Sequence, residues 1–238
     1  MVHFVGAGPG ASDLITVRGD RLLREADVVI YAGSLVNPEL LKGCRTDCAV
    51  YDSAYMTLEE VLEVIRDAER RGEMTVRLHT GDPSIYGAIR EQMDALDRMG
   101  IAYDVCPGVS SFCGAAAALN LEYTLPEVSQ SVIITRMEGR TKVPEKESIQ
   151  SFAAHQATMV LFLSTGLLEE LSGELIVGGY KEDTPTAIVY KASWPEEAVY
   201  RCGLCGLIPP LSLLGHLPRP FPPSLSRHRR KNWCNRKP

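Results

Sequence analysis

No stretch of this sequence strings together the ~20 apolar residues that a membrane-spanning helix needs. Its N-terminus lacks the basic segment and apolar core of a secretory leader, so a cytoplasmic protein without membrane contact is expected. Cysteine offers little, with seven residues in all. Cys44/Cys48 and Cys202/Cys205 are the close pairs, but Cys202-x-x-Cys205 has no second such pair. His216, His228 and Cys234 stand at no recognisable finger spacing. Reduced, unconnected thiols and no metal are expected. Acid is missing from one region: residues 203–238 hold seven Lys/Arg and no Asp or Glu. The first 202 residues therefore carry 18 basic against 30 acidic side chains, a net charge of −12. That acidic body argues against nucleic acid as a partner.

The 238 residues, 45% hydrophobic and 23% charged, suffice for one large domain or two small ones, each with a core. The first half alternates strand-like and helix-like segments. Strands are expected at Val2–Val5, Val28–Tyr31, Met74–His79 and Tyr103–Cys106. Helices are expected at Thr16–Glu25, Leu58–Arg70, Ile85–Met99 and Ser110–Leu119. Such alternation predicts an α/β unit with a mainly parallel sheet and helices on both faces. The pattern breaks around Asn120–Pro126, which places a boundary near Leu121. A second α/β unit follows, with strands at Val132–Thr135, Met159–Leu163 and Thr186–Tyr190 and helices at Ser148–His155 and Leu167–Leu175. The expected organisation is 1–120, 121–202, and a proline-rich basic extension over 203–238. Seven of the fifteen prolines fall in that extension, too dense for helix or sheet.

Three glycine turns carry the chemistry. Gly6-x-Gly8-x-x-Ala11 follows a strand and fits the dinucleotide fingerprint. Pro9, however, has no N–H to offer a pyrophosphate. The second strand ends in Tyr31-Ala32-Gly33-Ser34, without the acid that would bind a ribose; Asp27 precedes it. A tight structural turn, or a turn that lets another ligand approach the backbone, are the readings left. The second constellation is LHTGDPSIYG, residues 78–87. There Gly81 opens the backbone, Asp82 offers an acceptor and Pro83 suits a first helical turn. The third is CPGVSSFCGAAAA, residues 106–118, where Ser110 or Ser111 can cap a helix beside the Pro107-Gly108 turn. The second and third lie at carboxyl ends of strands, where open parallel sheets bind ligands.

In order, Val5-Gly6-Ala7-Gly8-Pro9-Gly10, Leu22-Leu23-x-x-Ala26-Asp27-Val28-Val29, Gly81-Asp82-Pro83 and Pro107-Gly108-Val109-Ser110-Ser111 resemble the tetrapyrrole methylases. The resemblance covers about residues 2–201. Within that family YAGSLVNPELL, LHTGDPSIYGAIREQMDAL and EYTLPEVSQSVIITRMEGRT look like the precorrin-4 C(11)-methyltransferases of cobalamin synthesis. The resemblance implies two α/β domains, the second with a mixed sheet, a homodimer, and S-adenosylmethionine as methyl donor to an anionic corrin precursor. It carries the cofactor contacts onto Pro9, Thr80, Gly81, Asp82, Ile85, Ser110 and Ser111, with Leu163 and Ala187 from the second domain. A ring fringed with carboxylates calls for cations. Arg77 and His79, two apart on one strand, share a side. With Arg136 and Arg140, and further Arg45 and Arg90, they are candidates for gripping it, although His79 reads equally well as a core residue.

Beyond Arg201 the resemblance stops. Relatives are expected to continue with a strand and helix that close the second domain's sheet, and an unpaired edge would follow here. The rival readings are a methylase acting elsewhere on a corrin precursor, one acting on a macromolecule in the manner of diphthine synthase, and an NAD-dependent oxidoreductase.

Overall fold

A computed structural model of the chain describes residues 1–139 and 141–207. It separates two compact units: residues 1–121 with 189–199, and residues 122–188 with 200–207.

The first unit is built on a five-stranded sheet, with β1 Val2–Gly6, β2 Val28–Tyr31, β3 Ala49–Asp52, β4 Thr75–His79 and β5 Tyr103–Cys106. The order is β3-β2-β4-β1-β5, and every pairing is parallel. Alternate residues of the central strands feed two cores. Val5, Val29, Val76 and Leu78 meet Leu22, Leu23 and Ala26 in and beside α1 (Val17–Glu25) on one face. Val2, Phe4, Val28 and Ile30 meet Val61, Ile65 and Ala68 of α2 (Leu58–Arg70) and Leu96 of α3 (Arg90–Met99) on the other. Burial on both faces is why these strands read as continuous apolar runs. The helices start where side chains cap them. The Thr16 hydroxyl accepts from the Gly19 amide, and Thr57 and Glu60 close a reciprocal capping box on α2.

Two departures from the expected elements have local causes. α3 begins at Arg90 rather than Ile85, because Tyr86 (φ 55°) and Ala88 (φ 50°) hold the intervening chain in left-handed turns. β3 is an edge strand, largely exposed, and has no apolar run to announce it.

In the second unit β6 (Val132–Arg136) and β7 (Thr158–Phe162) pair in parallel. α5 (Ile149–Ala153) and α6 (Leu168–Val177) pack together through Ile149, Ala153, Leu168, Leu171 and Leu175. β8 (Pro185–Tyr190) and β9 (Ala198–Gly203), whose residues 189–190 and 198–199 are counted with the first unit, form a separate two-stranded sheet. The strands of this half thus make two small sheets among the described residues, where one mixed sheet is expected. β9 is absent from the sequence reading. Residues 203–207, read there as part of the basic extension, are packed: Leu204 and Leu207 are buried, and Ser172 Oγ donates to the Leu204 carbonyl at 2.8 Å. The remainder of that extension, 208–238, lies outside the described residues, as do His216, His228 and Cys234.

Candidate functional site

The three glycine turns meet at the carboxyl ends of β1, β4 and β5. Gly8 and Gly81 form an antiparallel bridge, the Gly81 amide donating to the Gly8 carbonyl at 2.8 Å and the Gly8 amide to that of Gly81 at 3.3 Å. Gly8 has φ 81° and Gly81 φ 59°, a region that glycine enters without penalty. Gly6 and Gly108 are needed for a different reason. A Cβ on Gly6 would lie 2.5 Å from Gly108 Cα and 2.6 Å from the Gly81 oxygen, so the three backbones touch. The motif that imitates a pyrophosphate cradle is therefore a junction of three loops.

Asp82 ties the junction together. One carboxylate oxygen accepts from the Gly108 amide at 2.9 Å, and the other from the Ser84 amide at 2.8 Å and the Ser84 hydroxyl. Burial alone would raise its pKa, but the bonds from Ser84 and the Gly108 amide outweigh this and hold it below the usual carboxylate range. Ser110 is buried and precedes α4 (Ser111–Leu119), while Thr80 is exposed and Ile85 half-buried. A Cβ on Gly81 would sit 3.3 Å from the Ser111 amide nitrogen. Thr80, Gly81, Asp82, Ser110 and Ser111 are thus drawn to one rim by backbone packing.

Pro9 is buried beneath the segment 189–199. Its carbonyl accepts from the Trp194 indole N–H at 3.2 Å, and the Ala11 amide donates to Ser193 Oγ at 2.9 Å. Gly114 of α4 comes so close to Pro9 that a Cβ would lie 2.8 Å from the proline Cβ.

The expected cations fare differently. Arg77 is 7% exposed, and its guanidinium donates to Ile30 O (3.1 Å), Gln92 Oε1 (3.1 Å) and Ser53 Oγ (3.0 Å). Burial lowers its pKa to about 10. His79 is 4% exposed, stacks at a tilt on Phe4, and has no partner for Nε2. Burial, helped by Arg77, drives its pKa to about 3, so the ring is neutral. The expectation that this pair grips a substrate is corrected: the shared face of β4 that unites them turns inward onto α2 and α3, and a polar interior results. Arg45 pairs with Asp27 and Asp47, and Arg90 with Asp94. Arg136 donates to the Met137, Thr141 and Lys142 carbonyls and clasps its own loop. Arg140 lies outside the described residues.

The family profile of the Tetrapyrrole (Corrin/Porphyrin) Methylases matches residues 1–207. The chain belongs to the tetrapyrrole methylases. A cobalt-precorrin-4 C(11)-methyltransferase of Methanocaldococcus jannaschii is 54% identical over 200 residues, 84% of this chain and 77% of that one. The X-ray structure of CbiF, a cobalt precorrin-4 methyltransferase of cobalamin biosynthesis, superposes with a TM-score of 0.85 at 48% identity and covers 87% of this methylase and 86% of its own chain. Uroporphyrin-III C-methyltransferase from Thermus thermophilus, solved with S-adenyl homocysteine, gives 0.73 at 27% identity, covering 93% and 89%.

In the second unit of this methylase, Leu163 follows β7 with φ 54° and is 76% exposed. A large apolar residue held open in a left-handed conformation marks a strained, surface-presented position. Ala187 is exposed on β8. Trp194 and Ser193 escape a reading based on glycine spacing. The signal that could have found them is a tryptophan in a chain only 7% aromatic. Among the described residues, no group of three or more His, Cys, Asp or Glu is placed to hold a metal, and no helix is long and apolar enough to cross a membrane. Cys44, Cys48, Cys106, Cys113 and Cys202 are free, and burial pushes the Cys48 thiol up to about 11.

Proposed function

We propose that this chain is an S-adenosylmethionine-dependent C-methyltransferase that methylates C11 of precorrin-4 or cobalt-precorrin-4 in cobalamin synthesis. The observation that carries the reading is the three-loop glycine junction at the sheet's carboxyl rim, in a chain 54% identical to a cobalt-precorrin-4 C(11)-methyltransferase. The junction suits the cofactor because its backbone packing draws Thr80, Gly81, Asp82, Ser110 and Ser111 to one rim of the sheet. Pro9, Thr80, Gly81, Asp82, Ile85, Ser110 and Ser111 would hold it. When bound, it supplies an electrophilic methyl group on a sulfonium.

The chain's own task is alignment. A rigid junction fixes the donor's address before the acceptor arrives, and holding two reactants at near-attack distance is worth up to ~7–11 kcal/mol. None of its side chains forms a covalent bond in this scheme. Asp82 serves as a hydrogen-bond acceptor that keeps its charge over the working pH range. For the ring's carboxylates we propose Arg136, which clasps the loop after β6, and Arg140. We also propose domain limits of 1–120 and 121–202, and a cytoplasmic homodimer. Light scattering on a sizing column tests the oligomeric state.

The deciding experiment is incubation with methyl-labelled S-adenosylmethionine and each of the two substrates, followed by mass and NMR analysis. One label at C11 is expected. Transfer to another ring position, or to none, refutes the assignment.

A further inference from the structure

We infer that Trp194, seconded by Ser193, is a positioning residue that fixes the Pro9 loop for cofactor binding. The inference rests on the methyltransferase reading above and goes beyond it, because neither residue belongs to the glycine motifs.

The case comes from the polar backbone groups of residues 7–11. The Ala7 amide is held by the His79 carbonyl at 2.7 Å, and both polar groups of Gly8 by Gly81. The Gly10 carbonyl accepts from Asn37 Nδ2 at 2.8 Å. Among the remaining groups, the Pro9 carbonyl and the Ala11 amide take side-chain partners. Trp194 Nε1 and Ser193 Oγ supply them. Buried backbone groups need such partners, so losing this pair removes two of the contacts that define the middle of the loop. Shape agrees with hydrogen bonding. Gly10 has no room for a side chain because the indole lies against it, and a Cβ there would also sit 2.8 Å from the Ala192 oxygen.

The segment that presents the two side chains is itself held under strain. Lys191 (φ 47°) and Ser193 (φ 66°) both occupy the left-handed region without being glycine. Such conformations persist only where neighbours over-determine them. Here the Ser193 amide donates to Glu197 at 2.6 Å, and the Lys191 ammonium lies 5.0 Å above the indole ring while pairing with Glu196 at 3.4 Å. The indole is therefore braced on its far side and aimed at Pro9.

The test uses the full chain with Trp194→Phe and Ser193→Ala. Calorimetry with S-adenosylhomocysteine, the KM for each substrate and the melting temperature are read in parallel. Losing one net hydrogen bond predicts about fivefold weaker cofactor binding in each variant. The KM for S-adenosylmethionine rises in step, and the tetrapyrrole KM stays within about twofold, a split that general loss of structure does not produce. As a second measurement, Trp233→Phe leaves Trp194 as the sole tryptophan. Its emission is expected to change saturably with S-adenosylhomocysteine at the calorimetric midpoint, and this reading stands even if Trp194→Phe does not fold. Unchanged cofactor affinity in both variants, equal weakening of both substrates, or flat Trp194 emission overturns the inference. A wild-type chain that binds no S-adenosylhomocysteine overturns the methyltransferase reading itself and this inference with it.

Discussion

Replacing Gly6 with alanine tests the loop junction with a single methyl group. Gly6 ends β1 outside the left-handed region, so alanine meets no backbone penalty there and the effect isolates packing. Its Cβ would lie 2.5 Å from Gly108 Cα, 2.6 Å from Gly108 N and 2.6 Å from the Gly81 oxygen. Ordinary contact begins near 3.4 Å, so two loops must each retreat by about 0.8–0.9 Å. All three obstacles are backbone atoms, and none can rotate away. Overpacking of this kind costs about 1–3 kcal/mol, and the rigid surroundings place this case near ~3 kcal/mol. For a chain of this size that lowers Tm by about 6–12 °C. The displaced loops carry Thr80–Asp82 and Ser110–Ser111, and a shift of about 1 Å at such a site can reduce turnover ~100-fold. Thermal unfolding and steady-state kinetics on the same preparations read both effects. A Gly6→Ala protein with a Tm within about 2 °C of wild type and an unchanged KM for S-adenosylmethionine refutes the junction.

Gly173 is the matched control: it lies inside α6 with open space around its missing Cβ, so Gly173→Ala is expected to stabilise the chain by about 0.5–1 kcal/mol in urea unfolding. Asp82→Asn places an amide donor where the carboxylate meets either Ser84 or the Gly108 N–H, and should cost about 1–3 kcal/mol of stability together with roughly tenfold in S-adenosylhomocysteine affinity; equal affinity by calorimetry removes Asp82 as the tie. His79 has a folded pKa of about 3 against about 6.5 unfolded, so between those values the unfolded chain binds the extra proton and stability falls as pH falls. The slope reaches ~1.4 kcal/mol per pH unit, and urea midpoints from pH 7 to 4 should be flatter for His79→Gln; parallel curves for the two proteins contradict a buried neutral imidazole.

Much of the first unit was legible because parallel strands buried on both faces announce themselves. Val28–Tyr31 and Leu58–Arg70 are found where the sequence places them, the strand from its apolar run and the helix from its spacing. The edge strand Ala49–Asp52 was not legible, since exposure on one side removes the apolar signal. The start of α3 was misread because left-handed turns at Tyr86 and Ala88 are a tertiary outcome that neither residue type favours. Residues 203–207 read as the opening of the extension because composition is averaged over a window, while Leu204 and Leu207 are held by particular partners.

The site was legible in its residues and illegible in their roles. A strand's alternation correctly places Arg77 and His79 on one side, yet it cannot say whether that side faces solvent or a helix. The answer depends on α2 and α3, whose positions are set by contacts far along the chain. The glycine spacing has the opposite ambiguity. It reports that something approaches the backbone closely, and both a ligand and another backbone satisfy that requirement. At Gly6 and Gly108 the approaching group is protein, and at Gly81 it is protein on one side with the Ser110–Ser111 turn on the other. The spacing therefore encodes a cofactor site only indirectly, through the three loop positions that the junction makes rigid, and substitutions at Gly6 or Gly108 should damage binding without touching any residue proposed to contact the cofactor.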